Sequence, residues 1–181
     1  MSTATMPTRP TIGRPQADEH SPYYGRYIDR VPDGDLPSQL RTQIGGTLDL
    51  LASVPANRAD YAYAPGKWTV KEVVGHLADV ERVMSYRALT FARRDETPLP
   101  GFDENAWAPA GNFGARTMAD LAEEFRTVRA ATVQLISHLE PAAFLRRGSA
   151  SNNTVSVRAL FYIIAGHELH HAELLRERYL K

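Results

Sequence analysis

Four stretches of the chain repeat apolar residues at the three- and four-residue spacing of an amphipathic helix. The first is Leu40, Ile44, Leu48 and Leu51, with Asp35 placed to cap its start and Pro55 lying beyond its end. The second runs Val73, Leu77, Val80 and Met84 to about Ala92. In front of it Thr69-Val-Lys-Glu72 reads as a capping box, and Trp68 is placed to staple onto Val73. The third, Leu121, Phe125, Val128, Thr132 and Leu135, is capped by Thr117 and closed by Pro141. The fourth starts near Thr154 or Ser156 and runs to about Tyr179, with Leu160, Ile164, His167, His171 and Leu174 on one line. No segment alternates with the period of a strand, and nothing repeats. The pattern predicts an all-α fold, a four-helix bundle.

The connections carry their own signals. Residues 1–20 hold too little apolar surface to pack and read as a disordered tail, leaving 21–181 as the bundle domain. Tyr23, Tyr24, Tyr27 and Ile28 suit the outside of a bundle, with Pro22, Pro32 and Pro37 keeping that segment extended or in turns. Ser149 to Asn153 reads as a turn. Residues 94–116 form a long irregular connection, of a length that is uncommon in compact domains and characteristic of lids and binding loops.

Composition narrows the function. The 181 residues suit one domain, and 21 basic side chains balance 21 acidic ones, so no basic surplus marks a nucleic-acid or membrane surface. The chain has no cysteine, which excludes a disulfide scaffold, a thiolate zinc site and a cysteine nucleophile of its own. Without an apolar leader or a run long enough to span a bilayer, the expectation is a cytoplasmic protein acting on a small molecule, with neither nucleic acid nor membrane as partner.

The chemistry concentrates in Gly166-His167-Glu168-Leu169-His170-His171. His167 and His171 replace two apolar residues on the inward line of the fourth helix. Side chains at i and i+4 are neighbours, roughly 5–6 Å apart at Cβ, and burying two imidazoles is costly unless something pairs with them. A divalent cation serves both rings. Among the other histidines only His76 points inward from another helix, in line with Val80 and Val83, and it is the third expected ligand. Three neutral imidazoles leave an ion with open positions, the arrangement of a reactive zinc or nickel site. His138 suits the dipole at the end of its helix, and His20 is expected to be solvated. The string His167-Glu168-Leu169-His170-His171 also matches the H-E-x-x-H pattern of zinc proteases, but no histidine follows to act as their third ligand.

The catalytic residues stay open, with Glu168 and Arg87 as candidates. Glu168 and His170 each lie about 60° from the ligand line and read as interface polar residues before outer-sphere groups. Arg87 lies on the His76 line and reads as a surface ion pair before a contact to an acidic substrate. Asp79 reads as solvated before an orienter of a ligand ring. Gly166 costs about 1 kcal/mol relative to alanine in a helix, which points to a close helix contact or to room beside the metal.

Gly66-Lys-Trp-Thr-Val-Lys-Glu72, Gly75-His-Leu-Ala-Asp-Val-Glu81-Arg82, Tyr86-Arg87, Thr97-Pro-Leu-Pro-Gly-Phe-Asp103 and Ala165-Gly-His-Glu-Leu-His-His171 together resemble the DinB-like superfamily. The resemblance covers about Tyr23 to Tyr179. It implies an up-down-down-up bundle with 94–116 as the crossover between parallel second and third helices. It also implies a triad of one histidine on the second helix and an HxxxH pair on the fourth, here His76, His167 and His171, and a homodimer. Relatives of this type include transferases and isomerases that use bacillithiol, mycothiol or glutathione-type thiols, and proteins catalogued as metal hydrolases or stress-induced. The expected function is activation of an external low-molecular-weight thiol by a divalent metal for transfer to an electrophile, in a stress or detoxification role. An ion at an open site favours the thiolate, and a chain without cysteine has to borrow its sulfur. The alternatives are hydrolysis by a metal-bound water and a bundle that only binds metal or a partner.

Overall fold

The amide of Glu72 donates to the Thr69 hydroxyl at 3.2 Å and the Thr69 amide donates to the Glu72 carboxylate at 2.7 Å, so the capping box opens a helix where the sequence places it. The computed structural model describes residues 12–181. In chain order it contains α1 (Gly25–Ile28), α2 (Leu36–Ala52), α3 (Val70–Ala92), α4 (Glu104–Ala110), α5 (Met118–His138), β1 (Arg147–Ala150), β2 (Asn153–Ser156) and α6 (Val157–Leu174). The four predicted helices are α2, α3, α5 and α6. Asp35, Thr117 and Ser156 accept amide hydrogens from Ser38, Asp120 and Ala159 at the starts of α2, α5 and α6. Past Leu174 the last turn widens, the amide of Leu180 reaching the Leu175 carbonyl at 3.1 Å.

Side-chain pairings fix the directions of the helices. Arg41 near the start of α2 meets Ser137 at the end of α5 (2.7 Å), while Leu51 at the end of α2 shares a cluster with Leu121 at the start of α5. These two helices are antiparallel. Between α3 and α5 the pairs Glu81–Arg129 and Ser85–Thr132 advance together, so those two are parallel. Gln43 reaches the Ala165 carbonyl and Thr47 reaches Glu168, so α2 and α6 are also parallel. The result is the up-down-down-up bundle. Most of the predicted inward residues are buried, but Ile44, Leu48, Leu135 and Leu174 are only half-buried. Thr47, Arg129 and Ile136 take buried positions instead.

Three expectations change. The 94–116 connection is not irregular throughout, because Asp103 caps α4 through the amides of Asn105 (2.9 Å) and Ala106 (3.3 Å). Its earlier part is stitched to the hairpin β1–β2, with the Leu99 amide on the Ser149 carbonyl (2.9 Å) and the Ser151 amide on the Leu99 carbonyl (3.1 Å). The hairpin itself stands where only a turn was expected. Ser151 and Asn152, at φ 51° and 61°, supply the two left-handed residues of a two-residue hairpin loop, and strands of four residues are too short to show a period. Of the expected tail, residues 1–11 lie outside the described residues. Residues 12–20 pack on the bundle, with Ile12 buried and Glu19 bonded to Arg158 of α6 at 2.7 Å. That guanidinium holds the Glu19 carboxyl down at about 2. Ion pairs of Arg14, Asp18 and Glu19 with Asp33, Arg147 and Arg158, together with a buried isoleucine, supply what the low apolar content does not. Among the described residues no helix is long and apolar enough to cross a membrane.

Gly166 explains how α1 lies on α6. A Cβ built there would sit 1.9 Å from the Tyr27 carbonyl oxygen, so the two backbones touch only because this position lacks a side chain. Gly166→Ala should therefore destabilise by about 1–3 kcal/mol in urea unfolding, the range for overpacking, despite the better helix propensity of alanine. Gly45→Ala, on the exposed face of α2 with nothing within 4 Å of the new methyl, should stabilise by about 0.5–1 kcal/mol. Equal effects of the two substitutions would remove the close-contact account.

Candidate metal centre

His76 is presented by α3, and His167 and His171 by successive turns of α6. Nε2 of His167 lies 3.1 Å from Nε2 of His76 and 3.1 Å from Nε2 of His171, and a ligand atom from each ring lies within 4.8 Å of the others. All three rings are buried. Trp68 packs against His76 with ring centres 4.6 Å apart, and Tyr27 meets His167 edge-on at 5.3 Å. Burial pushes the His76 pKa down to about 4 and those of His167 and His171 well below the ordinary histidine range, where the neighbouring rings add to the effect. These are neutral imidazoles aiming the same nitrogen at one point. Neutral rings cannot satisfy one another there, because Nε2 of His167 faces two nitrogens and can bond as donor or acceptor, not both at once. A cation that accepts three lone pairs resolves the conflict, so the donor set fits a divalent metal of the zinc or nickel type. Nδ1 of His171 is buried without a hydrogen-bond partner, which leaves its Nε2 as that ring's one polar contact.

The other candidates lie elsewhere. Glu168 adjoins His167 in the chain but turns into a buried network, accepting from Arg129 Nη1 (2.6 Å), Thr47 Oγ1 (2.5 Å) and Gln43 Nε2 (2.5 Å). Arg129 also grips Glu81 through two bonds of 2.8 Å and reaches the Leu40 carbonyl at 3.3 Å. Burial works against its charge, but Glu81 and Glu168 outweigh that and hold its pKa above the ordinary arginine value. Asp79 pairs with Arg82 at 3.6 Å, and burial raises its pKa. His138 is exposed and bonds the Gln134 carbonyl, and His170 lies half-buried against Tyr27. Arg87 is not a surface residue. It is 3% exposed, with Nη2 on the Pro100 carbonyl (2.8 Å) and on Ser151 Oγ (3.0 Å).

A cleft of about 270 Å³ opens beside His76 and His167, walled by Tyr24, Tyr27, Met84, Phe102 and Glu104. Glu104 is the one carboxylate that lines it among the described residues. A second, more apolar cavity of about 400 Å³ lies under the crossover, between Arg87 and Val83 of α3 and the mutually tilted rings of Phe102 and Trp107, whose centres are 4.9 Å apart. Phe102 lines both. Helical periodicity carries no signal for Tyr24, Phe102, Glu104 or Ser151, which lie on the connections. The Arg129 network does have one. Glu81 and Arg129 follow the seam residues Leu77 and Phe125 by four positions, which marks them as inward.

Metal-free protein should lose stability on acidification in a defined window. The unfolded chain protonates His76 below its ordinary 6.5, whereas the folded chain resists until about 4. Stability is therefore fully present above pH 6.5, falls between pH 6.5 and 4, and does not fall further on this residue's account. At about 1.4 kcal/mol per pH unit the loss through His76 is on the order of 3 kcal/mol. Urea unfolding of chelator-treated protein at pH 7 and 4.5 measures it, and His76→Leu should reduce the dependence by about that amount, leaving the part due to His167 and His171. An unchanged slope in that variant would contradict the burial of a neutral ring.

Comparison with known proteins agrees with this architecture. The DinB superfamily profile matches residues 39–175, the span from α2 to the last turn. A protein of Oceanobacillus iheyensis, named as a candidate metal-dependent hydrolase, is 26% identical over 137 residues, covering 74% of this chain and 77% of its own. YfiT from Bacillus subtilis, described as a candidate metal-dependent hydrolase with an unusual four-helix bundle topology, superposes with a TM-score of 0.65. It is 20% identical, with 91% of this chain and 92% of that one covered, which speaks for the fold. With its profile match running through both histidine-bearing helices, the chain belongs to the DinB superfamily.

Proposed function

We propose that the protein is a metal-dependent hydrolase whose reaction takes place in the cleft above His76, His167 and His171. The observation that carries the reading is the convergence of three neutral, buried imidazoles, two of which (His76 and His167) line a cleft whose one carboxylate among the described residues is Glu104. When bound, a divalent ion supplies Lewis acidity, enough to bring the pKa of water near about 7 or to polarise a carbonyl or phosphoryl oxygen. The protein's own groups divide the remaining work. His76, His167 and His171 hold the ion. Glu104 takes the proton from the attacking water. Tyr24 and Tyr27 keep their hydroxyl protons, since burial raises both, Tyr27 to about 12, and so can donate to an oxygen that gains charge. Phe102 shields the floor from solvent. Glu168, held by Arg129, Thr47 and Gln43, takes no part in proton transfer.

The relatives support hydrolysis over the expected thiol transfer, since the names of both describe metal-dependent hydrolases and neither mentions a thiol. The test begins with elemental analysis of protein purified without a histidine tag, followed by a panel of esters, amides and phosphoesters. His76→Ala, His167→Ala and His171→Ala should each abolish metal retention and turnover, while His138→Ala and His20→Ala change neither. Glu104→Gln should keep the metal and lower kcat by about 10²–10⁴, the range for a general base, and Glu168→Gln should keep both metal and rate. Loss of rate on Glu168→Gln alone would move the base to that residue. In cobalt-substituted protein, an intense near-ultraviolet band on adding small thiols, with no hydrolysis anywhere on the panel, would replace this reading by thiol transfer.

A further inference from the structure

Among the described residues two arginines are buried, and they are treated differently. Arg129, 1% exposed, is met by two carboxylates and a carbonyl. Arg87, 3% exposed, is met by none of the first kind. Its Nη2 bonds a backbone carbonyl and a hydroxyl, its Nη1 meets the Met84 thioether at 3.8 Å, and the Tyr24 hydroxyl is its remaining polar neighbour. No carboxylate pairs with Arg87 among the described residues, Glu104 of the histidine cleft included. A buried charge with neutral partners is poorly compensated. This one is also placed to receive a ligand. Arg87 lines the apolar cavity under the crossover, and Phe102, the wall shared with the histidine cleft, lies 5.8 Å from its guanidinium carbon. Tyr24, on the histidine side, feels the same guanidinium through charge and hydrogen bonding.

We propose that Arg87 is the anchor for a carboxylate group of the substrate, with Ser151 beside it, so that the enzyme takes substrates bearing a carboxylate and an apolar or aromatic arm. The apolar arm lies in the cavity against Phe102 and Trp107, and the bond to be cleaved extends past Phe102 toward the histidines. A monoanion suits the site, because one guanidinium supplies one positive charge and the neighbouring Arg82 is already paired with Asp79 and Glu124. This assignment rests on the hydrolase reading for the purpose of the site, but the anchor is testable without turnover.

Benzoate carries the proposed anion on an aromatic ring, and benzamide is its neutral counterpart. Calorimetric titration of both should be run on zinc-loaded and on chelator-stripped protein, for the wild type, Arg87→Gln, Arg87→Lys and Ser151→Ala. Benzoate should bind the stripped wild type and lose about tenfold or more in affinity in Arg87→Gln, as expected when a charge-assisted contact is removed. Arg87→Lys should retain part of that affinity, Ser151→Ala should weaken it modestly, and benzamide should bind weakly and alike throughout. If benzoate needs zinc and ignores Arg87, its carboxylate sits at the histidines and the anchor is overturned. A parallel loss of benzoate and benzamide in Arg87→Gln, without rescue by lysine, would reduce Arg87 to a latch for Pro100 and Ser151 and overturns it equally. Should Arg87→Gln fail to fold, the lysine and Ser151 variants decide the matter. None of these outcomes depends on finding a hydrolysed substrate, so the anchor and the hydrolase reading fail separately.

Discussion

Arg129 ties the bundle together. Its guanidinium bonds Glu81 of α3, Glu168 of α6 and the Leu40 carbonyl of α2 from its own place on α5, so one side chain touches all four long helices. Replacing such a network by apolar residues is often tolerated, whereas removing one member leaves charges buried without partners and costs about 3–5 kcal/mol. What it confers here is register. Glu168 follows His167 directly, and Glu81 lies just over one turn beyond His76. A slip of α3 against α6 by a single residue would pull one of the two carboxylates away from the guanidinium and His76 away from the His167–His171 pair. The ion network and the histidine centre are two readings of the same alignment.

The two halves of the site are built on different principles. The floor is carried on long helices whose inward residues are locked by packing, and its rings are neutral because burial makes them so. Most of the polar and aromatic walls come from the connections: tyrosines from the segment that ends in α1, Phe102 and Glu104 from the crossover, Ser151 from the hairpin turn. Gly166 joins them, since α1 reaches the histidines only where α6 offers bare backbone. A rigid floor with walls drawn from connections is how many folds hold one chemistry constant while varying what it acts on.

Much of the floor was legible in the sequence. Histidines in an otherwise aliphatic line at i and i+4 have few explanations, and the start signals at Asp35, Thr69, Thr117 and Ser156 placed four helices close to where they lie. The polar network was less legible only because a charged residue on a helix is usually solvated. Glu81, Arg129 and Glu168 sit at seam spacing all the same. The walls were not readable. Glu104 and Phe102 owe their positions to long-range stitching, the Leu99 bonds to the hairpin and the Arg87 bonds to Pro100 and Ser151. Local periodicity is silent about contacts of that kind. The hairpin escaped for a related reason, since Arg147-Gly-Ser-Ala150 has no apolar face to alternate.

The parallel pairing of α3 and α5 obliges the chain to travel back the length of a 23-residue helix, about 34 Å at 1.5 Å per residue. That return is a geometric necessity of the topology whatever the substrate. Its minimum span is therefore set by the bundle, while its composition is constrained only where it touches the hairpin, Arg87 or the core, as Phe113 does against Gly75 of α3. The segment that covers the histidines is thus held in length by folding and released in sequence to selection. In such a scaffold, new specificities can arise by rewriting the exposed positions of α4 and its flanks without any compensating change among the three histidines.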